Sequence, residues 1–99
     1  MANENKTALV TGAAKGIGRA AALELAAQGW NVAVNYHNRK EAALELCAEI
    51  ESKGVKAIAV YADMGNLDGI NNMYDVLEEK FPPLTLVVNN AGISDEVYF

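Results

Sequence analysis

Cysteine, proline, histidine and positive charge are all scarce in this sequence, and each scarcity excludes something. The single cysteine, Cys47, has no intrachain partner, so no disulfide framework staples the fold. Such sparing use fits a reducing compartment. The only prolines, Pro82 and Pro83, are adjacent, and no Pro/Gly/Ser-rich linker divides the chain. His37 is the one histidine and has no Cys, Asp or second His at ligand spacing, which argues against a metal site. Eight Lys and Arg against 13 Asp and Glu give a formal net charge of −5. That balance argues against nucleic acid or an anionic membrane as partner, since both need clustered cations. No apolar run approaches the roughly 20 residues of a transmembrane helix. Met1 to Lys6 are polar and lack the apolar stretch of a signal peptide. The expectation is a soluble, cytoplasmic protein.

What is present is a composition suited to one packed domain: 52% hydrophobic and 21% charged residues over a length of 99. Short β-branched runs alternate with longer helical stretches. Thr7 to Val10 is a continuous apolar run, as a strand buried on both faces requires. A Gly-rich segment from Gly12 to Gly18 follows, then a helix to about Gln28. The expected stripe of that helix is Ile17, Gly18, Ala21, Ala22 and Leu25. Gly29 suits its C-terminal stop. Asn31 to Tyr36 reads as the second strand. Arg39 to Lys53 reads as a helix whose stripe is Ala43, Leu46, Cys47 and Ile50, ended by Gly54. Val55 to Tyr61 reads as the third strand. Leu67 to Phe81 reads as a helix capped by Asn66, with Ile70, Met73, Tyr74, Leu77 and Phe81 on its apolar face. Pro82-Pro83 ends it, and Leu84 to Val88 reads as the fourth strand.

This β-α-β-α-β-α-β order predicts an α/β fold, a doubly wound parallel sheet of Rossmann type with strand order 3-2-1-4. The first and fourth strands then meet at the switch point, where ligands bind beyond the strand ends. Both Gly-containing loops, Thr11-Gly12 and Asn90-Ala91-Gly92, fall there.

Thr11-Gly12-Ala13-Ala14-Lys15-Gly16-Ile17-Gly18 leaves a strand and opens a helix, the context a phosphate-binding loop needs. Gly12 allows the tight turn, Gly16 the approach of backbone to a pyrophosphate, and Gly18 the packing of helix on sheet. The helix N-terminus offers N–H groups and a positive dipole end to the anion. The plain alternative is a Gly-rich turn without a ligand.

This segment resembles the TGxxxGIG motif of the short-chain dehydrogenases/reductases. Asn89-Asn90-Ala91-Gly92 resembles that family's NNAG motif, and Asp63-Met64 its acidic-hydrophobic pair. ALVTGAAKGIGRA with VVNNAGI is most similar to the 3-oxoacyl-carrier-protein reductase branch. The resemblance implies that Gly12, Gly16, Ile17 and Gly18 cradle the pyrophosphate of a dinucleotide, with Ala14 and Lys15 also among the cofactor-binding residues. It implies Asp63 and Met64 at the adenine. Asn90, Ala91 and Gly92 would line the ribose and the approach to the nicotinamide, with Asn89 bracing the strand ends. Asp63 has a plainer alternative as a helix-entry residue. His37 either edges the adenine pocket or is solvated.

Charge bears on the choice of cofactor. An acid ending the second strand would bond a ribose 2′-hydroxyl and repel a 2′-phosphate. Here Asn35-Tyr36-His37-Asn38-Arg39 carries no carboxylate, and Lys15 and Arg39 are candidate partners for the phosphate. NADP(H) is therefore expected over NAD(H), unless Arg39 is merely solvated.

In the family the catalytic Asn, Ser, Tyr and Lys lie beyond the NNAG motif, the last two as YxxxK. Tyr98 has no Lys four residues on. The resemblance thus implies that residues 1–99 are the N-terminal part of one dinucleotide-binding domain, truncated before the chemistry and inactive alone. The implied parent reaction is NADPH-dependent reduction of a 3-oxoacyl thioester, with a hydroxysteroid or polyol dehydrogenase as the second candidate parent. The residues also leave open a non-catalytic nucleotide-binding module or a non-functional fragment. An open fourth strand bearing Leu86, Val87 and Val88 leads us to expect self-association.

Overall fold

The computed structural model describes residues 6–90. Its elements run β1 (Thr7–Val10), α1 (Gly16–Ala27), β2 (Asn31–Tyr36), α2 (Lys40–Glu51), β3 (Ala57–Tyr61), α3 (Leu67–Lys80) and β4 (Leu86–Val88). The four strands form one sheet in the order β3-β2-β1-β4. Every pairing is parallel, with Leu9 opposite Ala33 and Val87, and Val34 opposite Ala59. The doubly wound sheet and its 3-2-1-4 order are as the sequence predicts.

Side-chain alternation splits the core into two layers. Val10, Val32 and Val34 point to one face, where Ala22 and Ala26 of α1 and Ala43, Leu46 and Ile50 of α2 cover them. Leu9, Ala33 and Val60 point to the other face and meet Met73 and Leu77 of α3. The central strands β1 and β2 are buried on both faces, which is why they read as continuous apolar runs. At the sheet edge, Leu86 and Val87 of β4 are 37% and 45% exposed.

The caps explain the helix limits. Gly29 and Gly54 adopt φ of 95° and 93° after α1 and α2, a region costly for residues with a Cβ. The Asn66 side chain accepts a hydrogen bond from Gly69 N at 2.8 Å, the expected N-cap. Phe81, expected inside α3, is instead its extended C-cap.

Two expected core positions are corrected. Ile17 is 71% exposed, because the first turn of α1 projects past the sheet end. Tyr74 is 37% exposed, because α3 packs on the sheet through Met73 and Leu77. The strands β3 and β4 begin two residues later than expected. Their leading residues attach differently: Lys56 N donates to Asn31 Oδ1, and Thr85 N to the Thr7 carbonyl. No helix among the described residues is long and apolar enough to cross a membrane.

Candidate functional site

The carboxyl ends of β1, β2 and β3 open into one cleft of about 1190 Å³. Gly12, Ala14, Lys15, Gly16 and Ile17 form one wall. His37, Arg39, Asp63 and Met64 form the other, and Asn90 closes the end beside β4. Residues far apart in the chain and singled out by the sequence are thus gathered at one place. Ala91 and Gly92 lie outside the described residues.

Gly18 has a different position: it does not line the cleft but sits beneath it. A Cβ there would fall 2.5 Å from the Gly12 carbonyl oxygen, 2.6 Å from Asn90 Nδ2 and 3.0 Å from Ala13 Cα. Only a glycine lets α1 approach the loop this closely. Gly12 and Gly16 adopt φ of 60° and 62°, the left-handed turns that bend the loop from β1 into α1. Lys15 at the N-cap supplies no side-chain cap, and the first turn of α1 holds no acid. An anion at that helix end would meet N–H groups and the positive end of the dipole without a competing carboxylate.

The loop after β4 is knitted to the loop after β1. Asn90 Nδ2 donates to the Gly12 carbonyl at 3.1 Å, and Asn90 N donates to Thr11 Oγ1 at 2.7 Å. The Thr11 hydroxyl lies 3.2 Å from Asn89 Oδ1, which places Asn89 as a brace between the strand ends.

At the far end of the cleft, Asp63 Oδ1 accepts from Gly65 N at 2.9 Å, and the Asp63 carbonyl accepts from Asn66 N. The helix-entry role is therefore real. Its second oxygen, Oδ2, is 3.9 Å from His37 Nε2, and both side chains are half exposed. The His37 ring packs against Tyr61, which also meets Tyr36 edge-on at 5.9 Å. Tyr36, His37, Met64 and Ile70 all line the cleft.

Tyr36 and Lys40 have the Y-x-x-x-K spacing, but Tyr36 ends β2 and Lys40 opens α2. They do not share the single helical face that this spacing needs. Cys47 is buried among the α2 core residues. Burial, and then the nearby Glu51 charge, push its thiol up to about 11, so it is no nucleophile at neutral pH. No group of three His, Cys, Asp or Glu able to hold a metal occurs among the described residues.

One participant escaped the sequence reading. Asn35, 1% exposed, accepts from Gly12 N at 3.0 Å through Oδ1. The available signal was a lone amide inside the apolar run Val32 to Tyr36.

The chain matches the family model of the short chain dehydrogenases over residues 6–99. It is 45% identical over 92 residues to a 3-oxoacyl-[acyl-carrier-protein] reductase of Staphylococcus epidermidis, covering 93% of this chain and 38% of the relative. It is 46% identical over 90 residues to a versicolorin reductase of Emericella nidulans, covering 91% and 34%. A short chain dehydrogenase of Burkholderia cenocepacia, solved in complex with NADP, superposes with a TM-score of 0.82 at 42% identity. That match covers 87% of this chain and 35% of the other. The chain thus spans somewhat over a third of the length of these relatives. With the sheet order, the Gly-rich turn and the family match agreeing, the chain belongs to the short-chain dehydrogenase family.

Proposed function

We propose that this chain is the NADP(H)-binding portion of a reductase whose substrate is a 3-oxoacyl thioester. The observation that carries the reading is the single cleft formed by the Gly12–Ile17 loop, the His37–Arg39 segment and Asp63-Met64, with Asn90 at its end. The pyrophosphate would lie at the N-terminus of α1. The adenine would lie between Met64 and the Asp63 side. The 2′-phosphate would face Lys15 and Arg39, where the cleft lining carries no carboxylate besides Asp63. The cofactor supplies hydride when bound. The chain's own residues bind it, orient it and neutralise its phosphates.

The substrate class is supported by the 3-oxoacyl-[acyl-carrier-protein] reductase relatives, and the phosphate-bearing cofactor by the NADP complex of the structural relative. The hydride acceptor and its proton donor belong to the reaction of the whole relatives, so the share proposed for these 99 residues is cofactor binding. Self-association through β4 belongs to the same reading, supported by the exposure of Leu86 and Val87.

Calorimetric titration with NADPH and NADH tests this. Tighter NADPH binding supports the reading, and equal affinities refute the phosphate argument. Absence of binding to either refutes the cofactor role. NADPH-dependent turnover of a 3-oxoacyl thioester by the chain alone would contradict the division of labour.

A further inference from the structure

We infer that Asn35 is a positioning residue that holds the Gly loop in shape for the pyrophosphate, an inference that rests on the proposed cofactor role. Asn is disfavoured in strands, and a buried carboxamide costs free energy unless it is hydrogen-bonded. Asn35 nevertheless occupies the fifth position of β2, 1% exposed, on the same sheet face as Ala33. The strand ladders and the hydrophobic packing of β2 do not call for an amide there. The β2 register is set by its ladders to β1 and β3, and its packing by Val32, Ala33 and Val34.

Both ends of the carboxamide are used, and for different purposes. The nitrogen end is an anchor: Nδ2 lies 3.3 Å from the Ala62 carbonyl, 3.5 Å from the Val60 carbonyl and 3.6 Å from Met73 Sδ. These partners sit on β3, just beyond its end, and on α3, outside the Gly loop. The oxygen end, so oriented, accepts from Gly12 N at 3.0 Å. The Asn35 backbone carbonyl accepts from the next amide, Ala13 N, at 3.0 Å. One residue thus receives two successive N–H groups of the turn at which Gly12 takes its positive φ. A leucine has neither end, and an aspartate lacks the donor that anchors the group.

The test compares the wild-type chain with Asn35→Leu, which keeps the size and burial of the side chain. Two probes are titrated: NADPH, and adenosine 2′-monophosphate, which has the adenine and 2′-phosphate but no pyrophosphate. The expected result is NADPH binding weakened about tenfold or more, from the lost positioning of the half-buried Gly12 N–H. Adenosine 2′-monophosphate binding stays within about twofold, because it has no pyrophosphate to meet the main chain of the loop: its proposed contacts are the Asp63-Met64 side and the flexible side chains of Lys15 and Arg39. Equal weakening of both probes indicates a merely structural role and overturns the inference, as does unchanged NADPH binding. Failure of the wild-type chain to bind NADPH overturns the cofactor role itself and this inference with it. Should Asn35→Leu not fold, amide exchange in the wild-type chain decides. Protection of the Gly12 amide comparable to the β2 amides supports the inference, and exchange as in an unstructured chain overturns it.

Discussion

Gly18 and Asn90, far apart in the sequence, leave no room for a single carbon between them: a Cβ on Gly18 would lie 2.6 Å from Asn90 Nδ2. That nitrogen donates to the Gly12 carbonyl at 3.1 Å. The glycine is thus required by the hydrogen bond that ties the β4 end to the β1–α1 turn. Helix approach, loop shape and strand-end bracing are one arrangement.

Gly18→Ala is expected to destabilise the chain by at least about 2 kcal/mol, since the methyl meets backbone as well as side chain. Gly16→Ala meets nothing within 4 Å and suffers only from its φ of 62°. It should cost about 1–2 kcal/mol. Urea denaturation of the two variants checks the order, which reverses if packing beneath the loop is slack.

Thr11→Val removes the hydroxyl that accepts from the buried Asn90 N–H at 2.7 Å. Leaving that donor without its acceptor should cost about 1–3 kcal/mol, whereas Thr11→Ser keeps most of the stability. Thermal unfolding of the pair distinguishes loss of the hydroxyl from loss of the methyl.

Lys15→Ala and Arg39→Ala are each expected to weaken NADPH binding on the order of tenfold at low salt, and less at high salt. NADH binding should stay nearly unchanged, because it lacks the phosphate. A parallel loss for both cofactors in the titrations would place these side chains elsewhere than at the 2′-phosphate.

Burial and then the Glu51 charge raise the Cys47 thiol from 9.0 to about 11. The unfolded chain therefore loses this proton at lower pH than the folded chain, and the contribution to stability falls as pH rises between those values. It is fully present below pH 9. By pH 11 the loss approaches about 2–3 kcal/mol, because each pH unit between the two values is worth about 1.4 kcal/mol. Urea midpoints from pH 8 to 11 should fall more steeply for the wild-type chain than for Cys47→Ala. Parallel curves would refute the assignment.

The fold was legible where burial is two-sided or a cap is chemical. Thr7–Val10 and Asn31–Tyr36 coincide with the observed strands because central parallel strands are apolar on both faces. Asn66 was legible because its capping partner, Gly69, is local in sequence. Ile17 was misread because helical periodicity says nothing about where the sheet ends beneath the helix. Asn35 was missed because its partners lie 23 to 27 residues and more away, at Gly12, Val60, Ala62 and Met73. The cleft followed from the motif spacing, whereas its internal bracing required the tertiary fold.

The most direct test of a single dinucleotide cleft is an NMR titration of the ¹⁵N-labelled chain with NADPH. The account predicts that the amides of Gly12, Gly16, Arg39, Asp63 and Asn90 shift together along one saturation curve. Amides on the far side of the sheet ends, such as Ser52 and Lys53, should stay in place. Shifts confined to one of these loops, or absent from all of them at saturating NADPH, would contradict it.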